Sequence, residues 1–62
     1  MIKYDVRVYN LNGKSKTVWQ HQGLVHREDG PAITFDDGKK EYWLNGVEVS
    51  EYQWKLQTKR VK

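Results

Sequence analysis

The segment "DGKKEYWLNGVEV", residues 37–49, places an alternating strand pattern between two turn signals. Asp37-Gly38 and Asn45-Gly46 are typical of tight type I′ hairpin turns, because Asn, Asp and Gly tolerate the positive φ angles that these turns require. Between the turns, "KEYWL" alternates in side-chain direction, so Trp43 is expected on the opposite face of the strand from its two neighbours. The segment therefore predicts two antiparallel hairpins that share one strand.

The same kind of pattern extends through the N-terminal half of the chain. Asn12-Gly13 and Gln22-Gly23 add two further turn signals, and "IKYDVRVY", residues 2–9, alternates between apolar and polar side chains with a period of two. The shorter β-rich runs are "KTVWQH" (16–21), "GLVH" (23–26), "AITF" (32–35) and "VEV" (47–49). Turn signals at such close spacing predict an antiparallel β-meander of about five to six short strands.

The pattern changes at Ser50, where a helix of residues 50–60 is predicted. Ser50 is a favourable N-cap residue, and Gln53 follows three positions later, which is the capping-box arrangement. The predicted apolar stripe consists of Tyr52, Leu56 and Trp54. A helix of about three turns is not stable alone, so it must pack against the sheet or a partner. The predicted fold class is therefore mainly β (α+β), a meander with one C-terminal α-helix.

Length and composition limit the kind of protein that this chain can be. Its 62 residues suffice for a single domain, residues 1–62, with hairpin repeats in residues 1–49 and the helix in residues 50–60. The absence of cysteine excludes disulfides and thiolate metal sites. No segment has the pattern of a signal peptide or a membrane span, which predicts a cytoplasmic protein with no membrane partner. The formal net charge of +3 is too small to indicate nucleic-acid binding by itself.

An internal repeat relates two parts of the chain. "NGKSKTVWQHQGLVHRE" (12–28) aligns with "DGKKEYWLNGVEVSE" (37–51) when two residues of the first copy are treated as an insertion. The alignment matches Gln22-Gly23 with Asn45-Gly46, 23 residues later, a spacing that suits one hairpin unit placed beside the next. The second copy runs into the predicted helix, so it is expected to cap the array.

These motifs resemble a repeat found in small phage-encoded proteins. The resemblance rests on "HREDGPA" (26–32), "DGKKEYWLNG" (37–46) and "VEVSEYQW" (47–54). Such units are similar to MORN-type repeats, which are β-hairpins laid side by side in one sheet. The resemblance implies a phage accessory protein that acts in the host cytoplasm, where it binds and modulates or inhibits a host protein such as a defence or transcription component. It implies no shared reaction.

The charged run "HRED" (26–29), which precedes Gly30-Pro31, is interpreted first as structural. Pro31 lacks an N–H and interrupts strand pairing, and it restricts Gly30 to an extended or positive-φ conformation. Asp29 is expected to accept hydrogen bonds in the turn, and Arg27 to donate to a nearby carboxylate or carbonyl. His26 is expected to stack on an aromatic ring at the strand end.

The same run has a chemical interpretation that the sequence favours less. The candidate metal ligands or acid–base groups are His21, His26, Glu28 and Asp29. Their spacing matches no zinc pattern, and no nucleophile is placed beside them. A chain of this size also has little room to enclose a substrate pocket. We therefore expect no metal, no cofactor and no enzymatic activity, and we keep partner contact through Arg27 and His26 as a further alternative.

Eight aromatic residues are too many for a thin sheet to bury completely. The predicted core consists of Tyr4, Trp19, Phe35, Tyr42, Leu44, Val6 and Val8. The face toward the helix is assigned Ile2, Val6, Val8, Ile33, Phe35 and Leu44, which leaves Trp43 and Tyr9 on the other face. Exposed Trp and Tyr dominate binding hot spots. The predicted partner-binding residues are Trp43, Tyr9, Trp54, Arg27 and His26.

The predicted function is therefore that of a small non-enzymatic binding protein with a host protein as its partner. The patch would act as a rigid surface, and an exposed edge strand could add to a partner sheet. A homodimer is also predicted, because a second copy would cover apolar surface that a small core cannot. The alternative function is nucleic-acid binding through exposed aromatic rings and a basic C-terminal group. That group consists of Lys55, Lys59, Arg60 and Lys62.

Overall fold

The computed structural model describes residues 2–58 and shows six strands followed by one helix. The strands are β1 (Asp5–Leu11), β2 (Lys14–His21), β3 (Leu24–Val25), β4 (Ile33–Phe35), β5 (Lys40–Leu44) and β6 (Val47–Val49), and the helix is α1 (Glu51–Thr58). The strand pairs are antiparallel in the order β1-β2-β4-β5-β6, with β3 also beside β2. The predicted mainly β meander with a C-terminal helix is confirmed.

Three of the tight turns share one backbone conformation. The φ angles are 53° and 77° at Asn12-Gly13, 54° and 82° at Gln22-Gly23, and 53° and 83° at Asn45-Gly46. Positive φ at both central residues is the signature of a type I′ turn, so the predicted turn type is confirmed at both Asn-Gly dipeptides. Gln22-Gly23, which the repeat alignment matches with Asn45-Gly46, has the same conformation as its counterpart.

The turn at Asp37-Gly38 is of a different type, and the type I′ prediction is wrong there. Only Gly38 has a positive φ, 94°. The Phe35 N–H donates to the Lys39 carbonyl at 2.9 Å, and the Gly38 N–H donates to the Phe35 carbonyl at 3.0 Å. Residues 36–38 therefore form a three-residue hairpin loop that ends in a left-handed glycine. The extra loop residue is what removes the need for a positive φ at Asp37.

β3 and β4 lie end to end beside β2. The register pairs Gln20 with Val25 but Val18 with Ile33. If the first register continued, residue 27 would face Val18, so the register jumps by six residues, the length of segment 26–31. We call this segment the charged loop. The charged loop interrupts the pairing of one continuous line of residues with β2, and it does not connect distant strands.

The backbone of Trp19 closes the charged loop on the β2 side. The His26 N–H donates to the Trp19 carbonyl at 3.1 Å, and the Trp19 N–H donates to the Ala32 carbonyl at 2.8 Å. On the β5 side, the Arg27 N–H donates to the Trp43 carbonyl at 3.3 Å, and the Ala32 N–H donates to the Glu41 carbonyl at 2.9 Å. Both ends of the loop are therefore held between β2 and β5.

The sheet has two different faces. Tyr42 and Trp54 pack with ring centroids 4.8 Å apart, which identifies the face that receives α1. By strand alternation and register, this helix face carries Val6, Val8, Trp19, Tyr42 and Leu44. The other face does not receive α1, and we call it the open face, although Val18 and Ile33 on it are buried. It carries Arg7, Tyr9, Leu11, Lys14, Lys16, Val18, Ile33, Phe35 and Trp43. Ile33 and Phe35 therefore lie with Tyr9 and Trp43, contrary to the predicted assignment, because Ile33 pairs with Val18.

The buried core is displaced from the predicted one. Among the described residues, the buried apolar side chains are Val18, Ala32, Ile33 and Leu44. The predicted burial of Val6 and Val8 is wrong, because β1 is the edge strand and α1 packs at the other end of the sheet, against β5. None of the eight aromatic residues, all of which lie within residues 2–58, is buried.

Helix α1 begins as predicted but packs through a narrower surface. The Gln53 N–H donates to the Ser50 Oγ at 3.1 Å, so the N-cap is confirmed. Tyr52 and Leu56 are exposed, and the predicted three-residue stripe is wrong, because the helix contacts the sheet through Trp54. Residues 59 and 60 of the predicted helix lie outside the described residues. Within residues 2–58, no helix is long and apolar enough to cross a membrane.

Candidate functional site

Arg27 is the centre of the charged loop. Its guanidinium lies over the Trp19 ring, with Cζ 3.6 Å from the ring centroid. The Arg27 Nε–H donates to Asp29 Oδ1 at 2.7 Å, and Nη1 donates to the Pro31 carbonyl at 3.3 Å. The predicted donation from Arg27 to a nearby carboxylate or carbonyl is confirmed, with Asp29 and Pro31 as the acceptors, whereas the stacking on Trp19 was not predicted. Arg27 therefore uses its guanidinium inside the protein, with one face of the group on Trp19 and two of its five N–H donors bonded.

His26 is buried, with 5% of its surface exposed. The Asn45 N–H donates to its Nδ1 at 2.9 Å, so Nδ1 acts as an acceptor and Nε2 carries the proton. Nε2 then donates to Glu28 Oε2 at 3.0 Å. The ring packs at 5.8 Å from the ring of His21. His26 thus connects the charged loop to the β5–β6 turn, and its donor and acceptor atoms both have partners.

Two aromatic side chains from outside the loop fix its backbone. The Trp54 indole N–H donates to the Arg27 carbonyl at 2.8 Å, and the Glu28 N–H donates to the Tyr4 hydroxyl at 3.0 Å. Tyr4 also packs edge-on against Trp19 at 5.3 Å. The loop therefore joins the N-terminal segment, the sheet and α1, which makes it part of the framework that positions other surfaces.

The absence of a side chain at Gly30 leaves space for the Arg27 guanidinium, whereas the backbone angle of Gly30 does not require glycine. Its φ is outside the left-handed region, and a Cβ at this position would lie 2.9 Å from Arg27 Cζ. Such an approach is closer than real Cβ contacts permit. The Gly-Pro pair thus leaves room for the stacked guanidinium.

The structure distributes the predicted partner-binding residues over two surfaces. Arg27, His26 and Trp54 come together around the charged loop, with the internal partners described above. Tyr9 and Trp43 lie on the open face, three strands apart. Tyr9 is exposed, whereas Trp43 is half-buried and its indole N–H donates to Glu41 Oε1 at 3.1 Å.

The residues of the predicted nucleic-acid surface are only partly within the described chain. Lys55 is exposed on α1, with Nζ 3.4 Å from Glu51 Oε2. Lys59, Arg60 and Lys62 lie outside the described residues.

Sequence reasoning missed a groove on the open face at the tip of the β1–β2 hairpin. The groove has a volume of about 680 Å³ and is lined by Tyr9, Leu11, Lys14, Lys16 and Phe35, together with the small polar residues Asn10, Asn12 and Ser15. Lys16 Nζ lies 6.0 Å from the centroid of the Tyr9 ring. We call this feature the hairpin groove. The pattern of Tyr9 and Leu11 alternating with smaller residues could have indicated it, but the position of Phe35 beside Lys16 depends on long-range pairing.

The outer edge of β1 is the second open feature. Leu11 and Lys14 flank a two-residue turn and form a hydrogen-bonded pair. Because hydrogen-bonded pairs alternate along an antiparallel strand, the residues whose backbone groups point toward β2 are Asp5, Arg7, Tyr9 and Leu11. The alternation leaves the N–H and C=O groups of Val6, Val8 and Asn10 pointing away from the sheet. All seven residues of β1 are exposed. An edge of this kind can accept another strand.

Within residues 2–58, no group of three or more His, Cys, Asp or Glu side chains is arranged to hold a metal ion. Comparisons of the chain with family models, curated proteins and solved structures found no match. The resemblance to phage-encoded repeats therefore stays a prediction.

Proposed function

We propose that this protein is a small non-enzymatic protein-binding module that uses its open face. The observation that carries the proposal is the hairpin groove, where Tyr9 and Leu11 are 43% and 74% exposed beside two lysines. Exposed aromatic and aliphatic side chains bordered by charge are typical of interaction sites. The charged loop bonds to other parts of the protein and is not the contact itself.

The lining of the groove selects the chemistry of the partner. Tyr9, Leu11 and Phe35 offer an apolar surface, and the ammonium groups of Lys14 and Lys16 border it. A protein segment that carries an apolar side chain next to carboxylates matches both properties. Trp43 lies on the same face toward its other end, so a partner that covers the whole face contacts both aromatic residues.

The resemblance to small phage-encoded proteins supports a more specific partner. On that resemblance we propose a host protein, such as a defence or transcription component, which this protein modulates or inhibits by covering part of its surface. The protein acts in the host cytoplasm under this proposal.

The test is affinity capture from host lysate with charge-reversed baits. Lys14→Glu combined with Lys16→Glu changes the groove, and Lys40→Glu combined with Lys55→Glu makes the same change in net charge at exposed positions away from the groove. We expect the wild type and the second variant to capture the same partner, and the groove variant to bind it about ten- to a hundredfold more weakly. Tyr9→Ala should weaken binding of the purified partner similarly.

Equal capture by the groove variant and its matched control would contradict the proposed site. Because Tyr9 and both groove lysines are exposed, circular dichroism should show that these variants remain folded. A loss of binding that accompanies unfolding would not count in favour of the groove.

Nucleic-acid binding is the second candidate function, and the same groove favours it. Tyr9 and Phe35 could stack with bases while Lys14 and Lys16 contact phosphates. A labelled single-stranded oligonucleotide should then bind with an affinity that falls steeply with salt. Absence of binding at low salt would eliminate this alternative, whether it is assigned to the groove or to the basic C-terminal residues.

A further inference from the structure

We propose that the edge of β1 pairs with β1 of a second copy of this chain, in an antiparallel arrangement centred on Val8. This inference goes beyond the proposed function, because it concerns the backbone edge of β1 and not the binding of a partner in the hairpin groove, although Tyr9 and Leu11 belong to both features. It joins the two sheets into one continuous sheet across a two-fold axis.

The first argument is that β1 has few of the features that protect sheet edges, since its charged residues are limited to Asp5 and Arg7. Its seven residues pair with β2 without interruption, and they include no proline, glycine or lysine. The edge at the other end of the sheet, β6, is only three residues long and leads directly into α1. A long, regular and exposed edge strand is a template for another strand.

The second argument comes from the exposed apolar side chains of this strand. Val6 and Val8 are 48% and 61% exposed on the helix face, because α1 packs at the other end of the sheet. A second β1 placed alongside would bring an apolar side chain of each copy next to one of the other. Val8 lies at the middle of the strand, so its exposed side chain would form the largest apolar contact with the second copy.

The third argument is that only one symmetric register suits the whole strand. The outward backbone groups belong to even-numbered residues, so even-numbered residues must face each other across the axis. Centring on Arg7 places two guanidinium groups opposite each other, which is unfavourable. Centring on Val6 runs the pairing into residues 2–4, which are not part of a strand.

Centring on Val8 avoids both problems. Val8 then faces Val8 of the second copy, and Val6 faces Asn10, which gives about six backbone hydrogen bonds across the axis. On the open face, Arg7 of each copy faces Tyr9 of the other, so that two cation–π contacts form. The strand Asp5–Leu11 is thus complementary to itself in this register and places no like charges opposite each other. The second copy is the occupant that these observations support.

The primary test is sedimentation over a concentration series with two proline variants. Val8→Pro removes an N–H that points away from the sheet and leaves the β1–β2 hydrogen bonds in place. Glu48→Pro is the matched control, because Glu48 occupies the equivalent outward position on the β6 edge. We expect the wild type and Glu48→Pro to dimerise with the same dissociation constant, and Val8→Pro to show a value at least about tenfold higher.

Two further variants keep the test decisive if a proline impairs folding. Val8→Lys alters an exposed side chain and places two ammonium groups opposite each other at the axis, so it should also raise the dissociation constant at least about tenfold. The chain has no cysteine, so Val8→Cys introduces a single thiol. Facing Cα atoms about 5.5 Å apart lie within disulfide range, so Val8→Cys should crosslink faster on oxidation than Val6→Cys.

Three results would overturn the inference. The wild type could remain monomeric up to about 1 mM. The folded Val8→Lys variant could dimerise as well as the wild type, which would place the interface elsewhere. Faster crosslinking of Val6→Cys would exclude the register centred on Val8. None of these results concerns binding of a protein partner in the hairpin groove, so the two proposals fail separately.

Discussion

Replacing Gly30 with alanine should destabilise the protein, and the destabilisation should reverse in sign when Arg27 is also replaced. The new Cβ would lie 2.9, 3.1 and 3.2 Å from Cζ, Nη1 and Nε of Arg27. The guanidinium must therefore shift, and we expect the shift to weaken its contacts with the ring of Trp19 and the carboxylate of Asp29. The cost of the substitution is the loss of these contacts.

The size of the destabilisation by Gly30→Ala follows from the solvent exposure of the Arg27 and Asp29 side chains. The Arg27 side chain is 20% exposed, so its stacking on Trp19 contributes about 1–2 kcal/mol. The Asp29 side chain is 70% exposed, so the ion pair contributes only about 0–1 kcal/mol. Alanine reduces the conformational entropy of the unfolded chain, which raises the free energy of unfolding by about 0.4–1 kcal/mol. This gain applies at residue 30 because the φ of Gly30 is outside the left-handed region. We expect a net loss of up to about 2.5 kcal/mol.

The assay is a double-mutant cycle of wild type, Gly30→Ala, Arg27→Ala and the double variant, followed by urea unfolding with circular dichroism detection. In the Arg27→Ala background, Gly30→Ala should stabilise by about 0.4–1 kcal/mol, since only the effect on the unfolded chain remains. Gly13→Ala is the control: no atom lies within 4 Å of its Cβ and its φ is 77°, so its cost should be the same in both backgrounds. Equal destabilisation by Gly30→Ala in both backgrounds would refute the reasoning.

Three further predictions concern the anchors of the fold. Trp54→Phe keeps the packing on Tyr42 but removes the indole N–H that donates to the Arg27 carbonyl, so thermal unfolding should show a loss of about 1 kcal/mol. His26→Leu leaves the part-buried Asn45 N–H without its acceptor and should cost about 1–3 kcal/mol in urea unfolding. Gln22→Asn should raise the free energy of unfolding by about 0.5–1 kcal/mol, because Asn tolerates the left-handed conformation better than Gln, and Asn45→Gln should lower it by a similar amount.

Each of these predictions has an outcome that contradicts it. An unchanged melting temperature for Trp54→Phe would show that the hydrogen bond to Arg27 does not hold α1. A His26→Leu variant as stable as the wild type would show that the hydrogen bonds of His26 do not stabilise the fold. Changes of the same sign at residues 22 and 45 would show that the two turns are not equivalent.

The sequence predicted the turns and strands well because the signals are local. Asn12-Gly13 and Asn45-Gly46 need only two residues to define a type I′ turn, and the Ser50 cap needs only four. The predicted donation from Arg27 to a nearby carboxylate is also local, since the acceptor Asp29 is separated from Arg27 by one position. Asp37-Gly38 was harder, because its turn type depends on how many residues the loop contains.

The positions of the core and of the open surfaces could not be predicted in the same way. Val6 and Val8 alternate like core residues, and their exposure follows from the place of β1 at the sheet edge, which depends on long-range pairing. The stacking of Arg27 on Trp19 depends on a register jump that no local motif encodes. The hairpin groove depends on the same pairing, since β4 carries Phe35 to the side of Lys16.

The central claim is that the charged loop is an internal part of the framework while the edge of β1 is open. Residue-resolved amide hydrogen exchange in a dilute sample tests it most directly. We expect slow exchange at Trp19 and Ala32, whose N–H groups close the loop, and fast exchange at Val6, Val8 and Asn10. Fast exchange at both loop positions together with protection along the outer edge of β1 would contradict it.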